Sequence, residues 1–237
     1  MFDFHDQVVV VTGAAGNLGQ AAAGAFAAAG ARLVLIDQSA ELLEERFPEL
    51  AASGEHLFTA VDLIDSNTVE ALGYELIQQV GQVDVLVNIA GGFRSGSPVH
   101  ETAPELWNFL MDLNARTVFN MARAIVPHML RQKRGKVINI AARAALAGTK
   151  NQGAYVASKS AVMRLTESMA AELKGHGINV NCILPGTIDT PENRRAMPNA
   201  AHEKWVPPAA IADVILFLAS DAARAMHGAS IPVYGLS

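Results

Sequence analysis

The sequence predicts an α/β fold, a doubly wound sheet of about seven mostly parallel strands with helices on both faces. Three observations carry that expectation. Short runs rich in Val, Ile and Leu recur along the chain, stretches of helical period separate them, and the runs are apolar throughout rather than alternating, as strands buried on both faces require.

In order, the strands are "VVVVT" at 8–12, "RLVLID" at 32–37, "HLFTAV" at 56–61, "VDVLVN" at 83–88, "KVINI" at 136–140, "INVNCIL" at 178–184 and "SIPV" at 230–233. Helices fill the intervals. A chain of 237 residues is long for one domain, yet open α/β sheets reach this length, and no Pro, Gly or Ser linker and no repeat divides it. Residues 1–237 therefore read as a single domain. The irregular stretch is 186–208, "GTIDTPENRRAMPNAAHEKWVPP", with four prolines and no clear apolar period. A loop of that length in a compact domain is usually functional, and it reads as a substrate lid.

Composition narrows the function classes. Apolar residues make up 51% and charged residues 17%, a globular balance, and the net charge of −5 argues against a nucleic-acid binder, which needs a clustered basic surface. The dense basic run "RQKRGK" at 131–136 reads instead as cations in the last turn of a helix that Gly135 ends before a strand. The lone cysteine, Cys182, lies in an apolar stretch, so it predicts a buried thiol, no internal disulfide and a reducing compartment. The start lacks a basic segment followed by an apolar run, and no stretch reaches the roughly 18 apolar residues of a membrane span. A soluble, cytoplasmic protein without a membrane partner is the expectation. Seven scattered histidines show no pair at helical ligand spacing, so a metal site is not expected.

After the first strand, "TGAAGNLG" sets Gly13, Gly16 and Gly19 at a strand-to-helix turn, with the helix beginning near Leu18. Glycines there permit a tight turn and let backbone approach a pyrophosphate at the positive end of the helix, the Rossmann arrangement. Asp37 follows 18 residues beyond Gly19, at the tip of the second strand, where a carboxylate can accept hydrogen bonds from ribose hydroxyls and would repel a 2′-phosphate. No Arg or Lys lies in the turn and Gln38 follows the acid, so NAD is favoured over NADP. The competing reading of Asp37 is a cap on the helix over "AELLEERF".

With these pieces the sequence resembles the short-chain dehydrogenase/reductase family over nearly its whole length. "VDL" with Asp62 and Leu63 resembles the family's adenine-side element, and "NIAG" with Asn88, Ala90 and Gly91 resembles its NNAG element. Asn114 in "LNARTVFN" is similar to its helix asparagine, Tyr155 and Lys159 to its YxxxK pair, and "PGTIDT" with Pro185, Gly186, Ile188 and Thr190 to its nicotinamide-side loop. The resemblance implies that these residues, with Gly13, Gly16, Asn17, Leu18, Gly19 and Asp37, bind the dinucleotide. It also implies that Tyr155, Lys159 and Asn114 are catalytic, and that subunits pair through the helices around Asn114 and Tyr155 into a homodimer or homotetramer.

Two departures stand out. The family turn usually has glycine at the place of Asn17 and its middle glycine one place after Gly16, and its serine, 13 residues before the tyrosine, is here Ala142. Both features, with "AARAALAGT" and "LPGTIDTPENRRAMP", resemble the dihydropteridine reductase branch. In the chemistry the resemblance implies, Tyr155 supplies a proton while hydride is delivered, and Lys159, one helical turn along, stabilises the phenolate of a group whose unperturbed pKa is about 10. Asn114 would hold a water in a relay that returns the proton. Loss of the serine's hydrogen bond costs a carbonyl substrate about 10²- to 10³-fold in rate, whereas a conjugated, electron-poor imine needs the donor less. Arg143, Thr149 and Asn151 lie in the same loop as possible replacement donors or as plain solvated residues. A reading of a different kind is a redox-silent NAD-binding sensor or interaction protein.

Overall fold

A computed structural model describes residues 2–236. The strands are β1 (Val8–Thr12), β2 (Arg32–Asp37), β3 (Leu57–Ala60), β4 (Val85–Asn88), β5 (Gly135–Ile140), β6 (Ile178–Pro185) and β7 (Ser230–Val233). They form one sheet in the order β3-β2-β1-β4-β5-β6-β7, and every neighbouring pair is parallel. The expected strands are all present and the "mostly parallel" sheet is wholly so.

Double-sided burial explains why the strands read as continuous apolar runs. In β1, Val9 and Val11 pack with α1 (Asn17–Ala28) and α9 (Pro208–Ala219) on one face. Val8 and Val10 pack on the other face with α4 (Ser66–Val80), α6 (Thr117–Gln132) and α7 (Gly153–Leu173). The remaining helices are α2 (Ala40–Arg46), α3 (Pro48–Ser53), α5 (Pro104–Met111) and α8 (Pro191–Ala196). At the edge, β3 is only partly buried and shorter than its sequence run. β4 is shorter than its sequence run, and just before it Asp84 bonds through its backbone to Val8 O and Lys136 N–H and through its carboxylate to the Val8 amide at 2.9 Å and Arg134 at 3.1 Å.

Two local readings change. Gly135 does not end the preceding helix: Lys133, at φ 56°, caps α6, and Gly135 is the first residue of β5, where an added Cβ would meet the Met129 thioether. The segment 186–208 is not wholly irregular either, since it contains α8, a short 3₁₀ turn at His202–Lys204 and a parallel bridge between Ile188 and Val206. Among the described residues, no helix is long and apolar enough to cross a membrane. Cys182 is free and buried.

The chain runs outward from β1 to β3, then returns to β4 beside β1, so the sheet opens a crevice between the carboxyl ends of β1 and β4. Gly19 lets α1 begin close against the turn that enters this crevice, because a Cβ there would lie 2.6 Å from Ala14 Cα and overlap the Gly13 carbonyl. Gly19→Ala is expected to lower unfolding free energy by roughly 1–3 kcal/mol, read as a lower urea midpoint at unchanged m-value. An unchanged midpoint would mean that the turn relaxes freely.

Candidate active site

The site is assembled by strand ends. The turn after β1 has Gly13 at φ 64°, and its missing Cβ leaves room for the backbone of Ala90, which an added carbon would meet at 2.8 Å. Thr12 locks the two strand ends together, its hydroxyl accepting from the amides of Ile89 at 3.1 Å and Ala90 at 3.2 Å. Helix α1 starts at Asn17, one residue before the expected Leu18, with Gly16 as an N-cap that offers no side-chain acceptor. Its first closed bond is Gln20 N–H to Gly16 O at 2.8 Å. Among the described residues, no protein acceptor meets the amides of Asn17 and Leu18. A Cβ on Gly16 would touch only Gly13 O, at 3.4 Å, so this exposed rim of the turn faces open space.

Asp37 closes the other side of the turn. Its carboxylate accepts from Ala15 N–H at 3.0 Å and Gln38 N–H at 2.8 Å, while Ser39, not Asp37, caps α2 through the Leu42 amide. Asp62 is exposed and accepts from Ile64 N–H at 2.9 Å, and Leu63 is buried. This loop is held by a residue the sequence reading missed: buried Asn120 of α6 donates to Leu63 O at 2.9 Å and Ile64 O at 3.1 Å. Asn88 turns its side chain into the sheet, donating to Asn139 at 2.9 Å, which in turn donates to Thr166 of α7 at 2.9 Å. This buried polar row ties β4, β5 and α7 together.

Tyr155 and Lys159 lie on α7, and Asn114 lies in a π-turn, Asp112–Arg116, between α5 and α6. Such turns are rare and concentrate at functional sites. Asn114 and Lys159 converge on Gly91, where an added Cβ would sit 2.7 Å from Asn114 Oδ1 and 3.1 Å from Lys159 Nζ. Both Asn114 amide hydrogens are committed, Nδ2 donating to Gly92 O and to Ser158 Oγ at 3.0 Å, while Oδ1 accepts from Gly92 N–H at 2.9 Å and keeps a second lone pair. Ser158, also unforeseen, passes a bond on to Tyr155 O at 2.8 Å and so joins the π-turn to the start of α7.

Lys159 is 5% exposed and donates to Ile140 O at 2.9 Å. Burial pulls its ammonium down to about 8 and pushes the Tyr155 phenol up to about 12. Phe93 meets the Tyr155 ring edge-on at 4.9 Å between centroids. Beside Tyr155 runs a narrow crevice lined by Arg94, Leu106, Leu110 and Asn151. Asn151 is left-handed at φ 61°, its carbonyl accepts from Gly96 N–H at 2.8 Å, and its buried Oδ1 has no protein partner. Ala142 is buried in extended backbone at the end of β5 and supplies no hydroxyl. Thr149 is exposed, and Arg143 stacks over Tyr234 at 5.4 Å.

Pro185 ends β6, and Gly186 donates to Val233 O at 2.9 Å. Ile188 pairs with Val206, and Thr190 caps α8 by accepting from Asn193 N–H at 3.2 Å. The expected residues therefore gather at the carboxyl edge of the sheet, with two side chains turned elsewhere: Asn88 inward, and Asp62 toward its own loop.

A parallel sheet in this order, with a glycine turn at the switch point and a Tyr–Lys helix beside it, defines a nicotinamide-linked oxidoreductase architecture. The family model described as short chain dehydrogenase matches residues 7–201, and the chain belongs to that family. It is 37% identical to the 2-(R)-hydroxypropyl-CoM dehydrogenase of Xanthobacter autotrophicus, covering 97% of each chain. It is 34% identical to the D-threitol dehydrogenase of Mycolicibacterium smegmatis, covering 99% of this chain and 94% of that one. Among solved structures it is similar to levodione reductase, with a TM-score of 0.91 and 32% identity over 98% and 97% of the two chains. NAD+-bound xylitol dehydrogenase matches with a TM-score of 0.90 and 26% identity over 98% and 99%.

The buried lysine gives the site a pH signature. Lys159 titrates near 8 when folded, against about 10.4 in an unfolded chain, so between those values the unfolded state holds more protons and stability rises with pH. Relative to Lys159→Met, the wild type should gain roughly 2–3 kcal/mol as pH rises from 8 to 10. Parallel urea-unfolding curves for the two proteins across this window would show an ordinary, solvated lysine.

Proposed function

We propose that the chain is an NAD(H)-dependent oxidoreductase acting on a small carbonyl or pterin-like imine, with Tyr155 as proton donor and acceptor. The observation that carries this reading is Lys159, a cation buried against Gly91 and Ile140 one helical turn from a largely buried phenol. Burial alone makes Tyr155 a poorer acid, so its phenolate needs the ammonium. That ammonium persists below about pH 8 and is lost above it. Asn114 Oδ1 keeps an acceptor site beyond its bond to Gly92 and meets Lys159 Nζ at Gly91, so it would hold a water relaying protons past Lys159.

The residues fit a dinucleotide. Unused amides and open space at the Gly13–Gly19 turn would take the pyrophosphate, with Asp37 on the ribose hydroxyls, Asp62 and Leu63 toward the adenine, and Ala90, Gly91, Pro185, Gly186, Ile188 and Thr190 toward the nicotinamide. Bound there, the nicotinamide supplies or accepts the hydride. The Asp37 carboxylate and the lack of a cation in the turn favour NAD over NADP. Segment 186–208, with α8, acts as the substrate lid of a single domain. Exposed Trp107 and Phe119 on α5 and α6 support a homodimer or homotetramer through that side, and the free thiol of Cys182 suits a cytoplasmic protein.

Ala142 favours a pterin-like, electron-poor imine over a simple ketone, in the manner of the dihydropteridine reductase branch. The similarity to proteins named 2-(R)-hydroxypropyl-CoM dehydrogenase and D-threitol dehydrogenase supports the carbonyl alternative, and for such a substrate Asn151 is the best-placed replacement donor. Its amide lines the crevice with Tyr155 and would donate through Nδ2, whereas Thr149 is exposed and Arg143 stacks over Tyr234.

NADH oxidation should saturate with freshly generated quinonoid dihydropterin or with a small ketone, and Tyr155→Phe should lower kcat by about 10²- to 10⁴-fold with NADH binding kept. On a ketone, Ala142→Ser should raise kcat by about tenfold or more. Wild-type protein that binds NADH and reduces neither probe would instead support the redox-silent binder.

A further inference from the structure

Helix α8 and the start of α1 are joined across the mouth of the dinucleotide crevice. Asn17 Nδ2 donates to Glu192 Oε2 at 2.8 Å, a contact between residues 175 positions apart. The other carboxylate oxygen, Oε1, receives Arg195 at 3.1 Å. Glu192 sits in the first turn of α8, just after the Thr190 cap, and its hydrogen bonds hold its carboxyl below the usual range, so it is an anion at neutral pH.

This anion is bonded to the side chain of the residue whose own amide begins α1. The Asn17 and Leu18 amides have no protein acceptor among the described residues, and the rim at Gly16 is open. A helix start with free amides attracts negative charge, and here the nearby negative charge is a side chain borne on the opposite wall. A pyrophosphate carried by the same turn would face a carboxylate of like sign bonded to Asn17. The two anions would repel one another beside Asn17.

We propose that Asn17 and Glu192 form a clasp that a dinucleotide must open, so that cofactor binding releases α8 from the glycine turn and frees the lid. Asn17 and Glu192 are thus positioning residues that set cofactor affinity and lid access together. This rests on the cofactor reading above, and it adds a coupling which that reading does not require. The apparent affinity of a site that is open only part of the time falls by the open fraction. An exposed charge-assisted bond of this kind corresponds to roughly a threefold to tenfold effect.

The test is NADH titration by fluorescence, without substrate, on wild type, Glu192→Ala, Glu192→Gln and Asn17→Ala, paired with trypsin cleavage after Arg194 and Arg195 in α8. Glu192→Ala should bind NADH roughly threefold to tenfold more tightly, with Glu192→Gln between it and wild type because the amide keeps a bond to Asn17 but loses the charge. Without NADH, Glu192→Ala and Asn17→Ala should be cut in α8 faster than wild type, and NADH should speed the wild-type cut. Glu192→Ala binding NADH as wild type does, or more weakly, would overturn the clasp while leaving the cofactor reading intact, as would slower wild-type cutting with NADH. No NADH or NADPH binding by any of the four proteins would overturn both.

Discussion

A lysine that is 5% exposed organises this molecule's functional edge, because an ammonium can be kept there only if the surrounding backbone is shaped to receive it. Ile140 O, at the end of β5, accepts its bond, and Gly91, just after β4, leaves the space that any side chain would fill. Asn114 presses on the same glycine and clamps Gly92 through both its oxygen and its nitrogen. Two strand ends, a π-turn and α7 are therefore held by one requirement. Displacing the end of β5 from α7 would strand the charge without its acceptor.

The remaining polar contacts support that arrangement. Asn88, Asn139 and Thr166 form a buried row from β4 to α7, so the helix that presents Tyr155 and Lys159 is tied to the sheet by hydrogen bonds as well as by packing. Thr12 joins the glycine turn to the segment before Gly91, and Asp37 joins the same turn to the tip of β2. Buried networks of this sort are costly when incomplete and rigid when satisfied. Here Asn88 Oδ1 is left without a protein partner, and the remaining bonds hold the carboxyl ends of β1, β2, β4 and β5 in one relation to α7. Segment 186–208 is anchored at its ends, Gly186 donating to Val233 O, Lys204 O accepting from Leu236 N–H and Val206 lying in the core, while the α8 stretch between them is tied to α1 by the exposed Asn17–Glu192 pair.

The fold was readable because its strands are buried on both faces, which makes each a short run of Val, Ile and Leu with no polar alternation. Strand ends are less legible: β4 starts at Val85, though Asp84 still bonds by its backbone to both neighbouring strands, and β3 is trimmed at the sheet edge. Gly135 was misassigned because a glycine after a basic run looks like a helix stop, whereas the stop is Lys133 and the glycine yields to Met129. Helix α8 has a Thr-Pro start that could have been seen, but six residues are too few for an apolar period to show. Motif spacing located Tyr155, Lys159, Asn114 and Gly91. It could not locate Asn120, Ser158 or Glu192, whose partners lie 44 to 175 positions away and are chosen by the fold.

The most direct measurement is the titration of Lys159 itself, followed by NMR in protein labelled at lysine Cε and assigned with a Lys159→Met variant. A midpoint near 8 is expected, with the neighbouring backbone signals of Ile140 and Gly91 shifting in the same transition. A midpoint at the ordinary lysine value of about 10.4 would contradict it, because a solvated Lys159 would neither organise the strand ends nor tune the Tyr155 phenol.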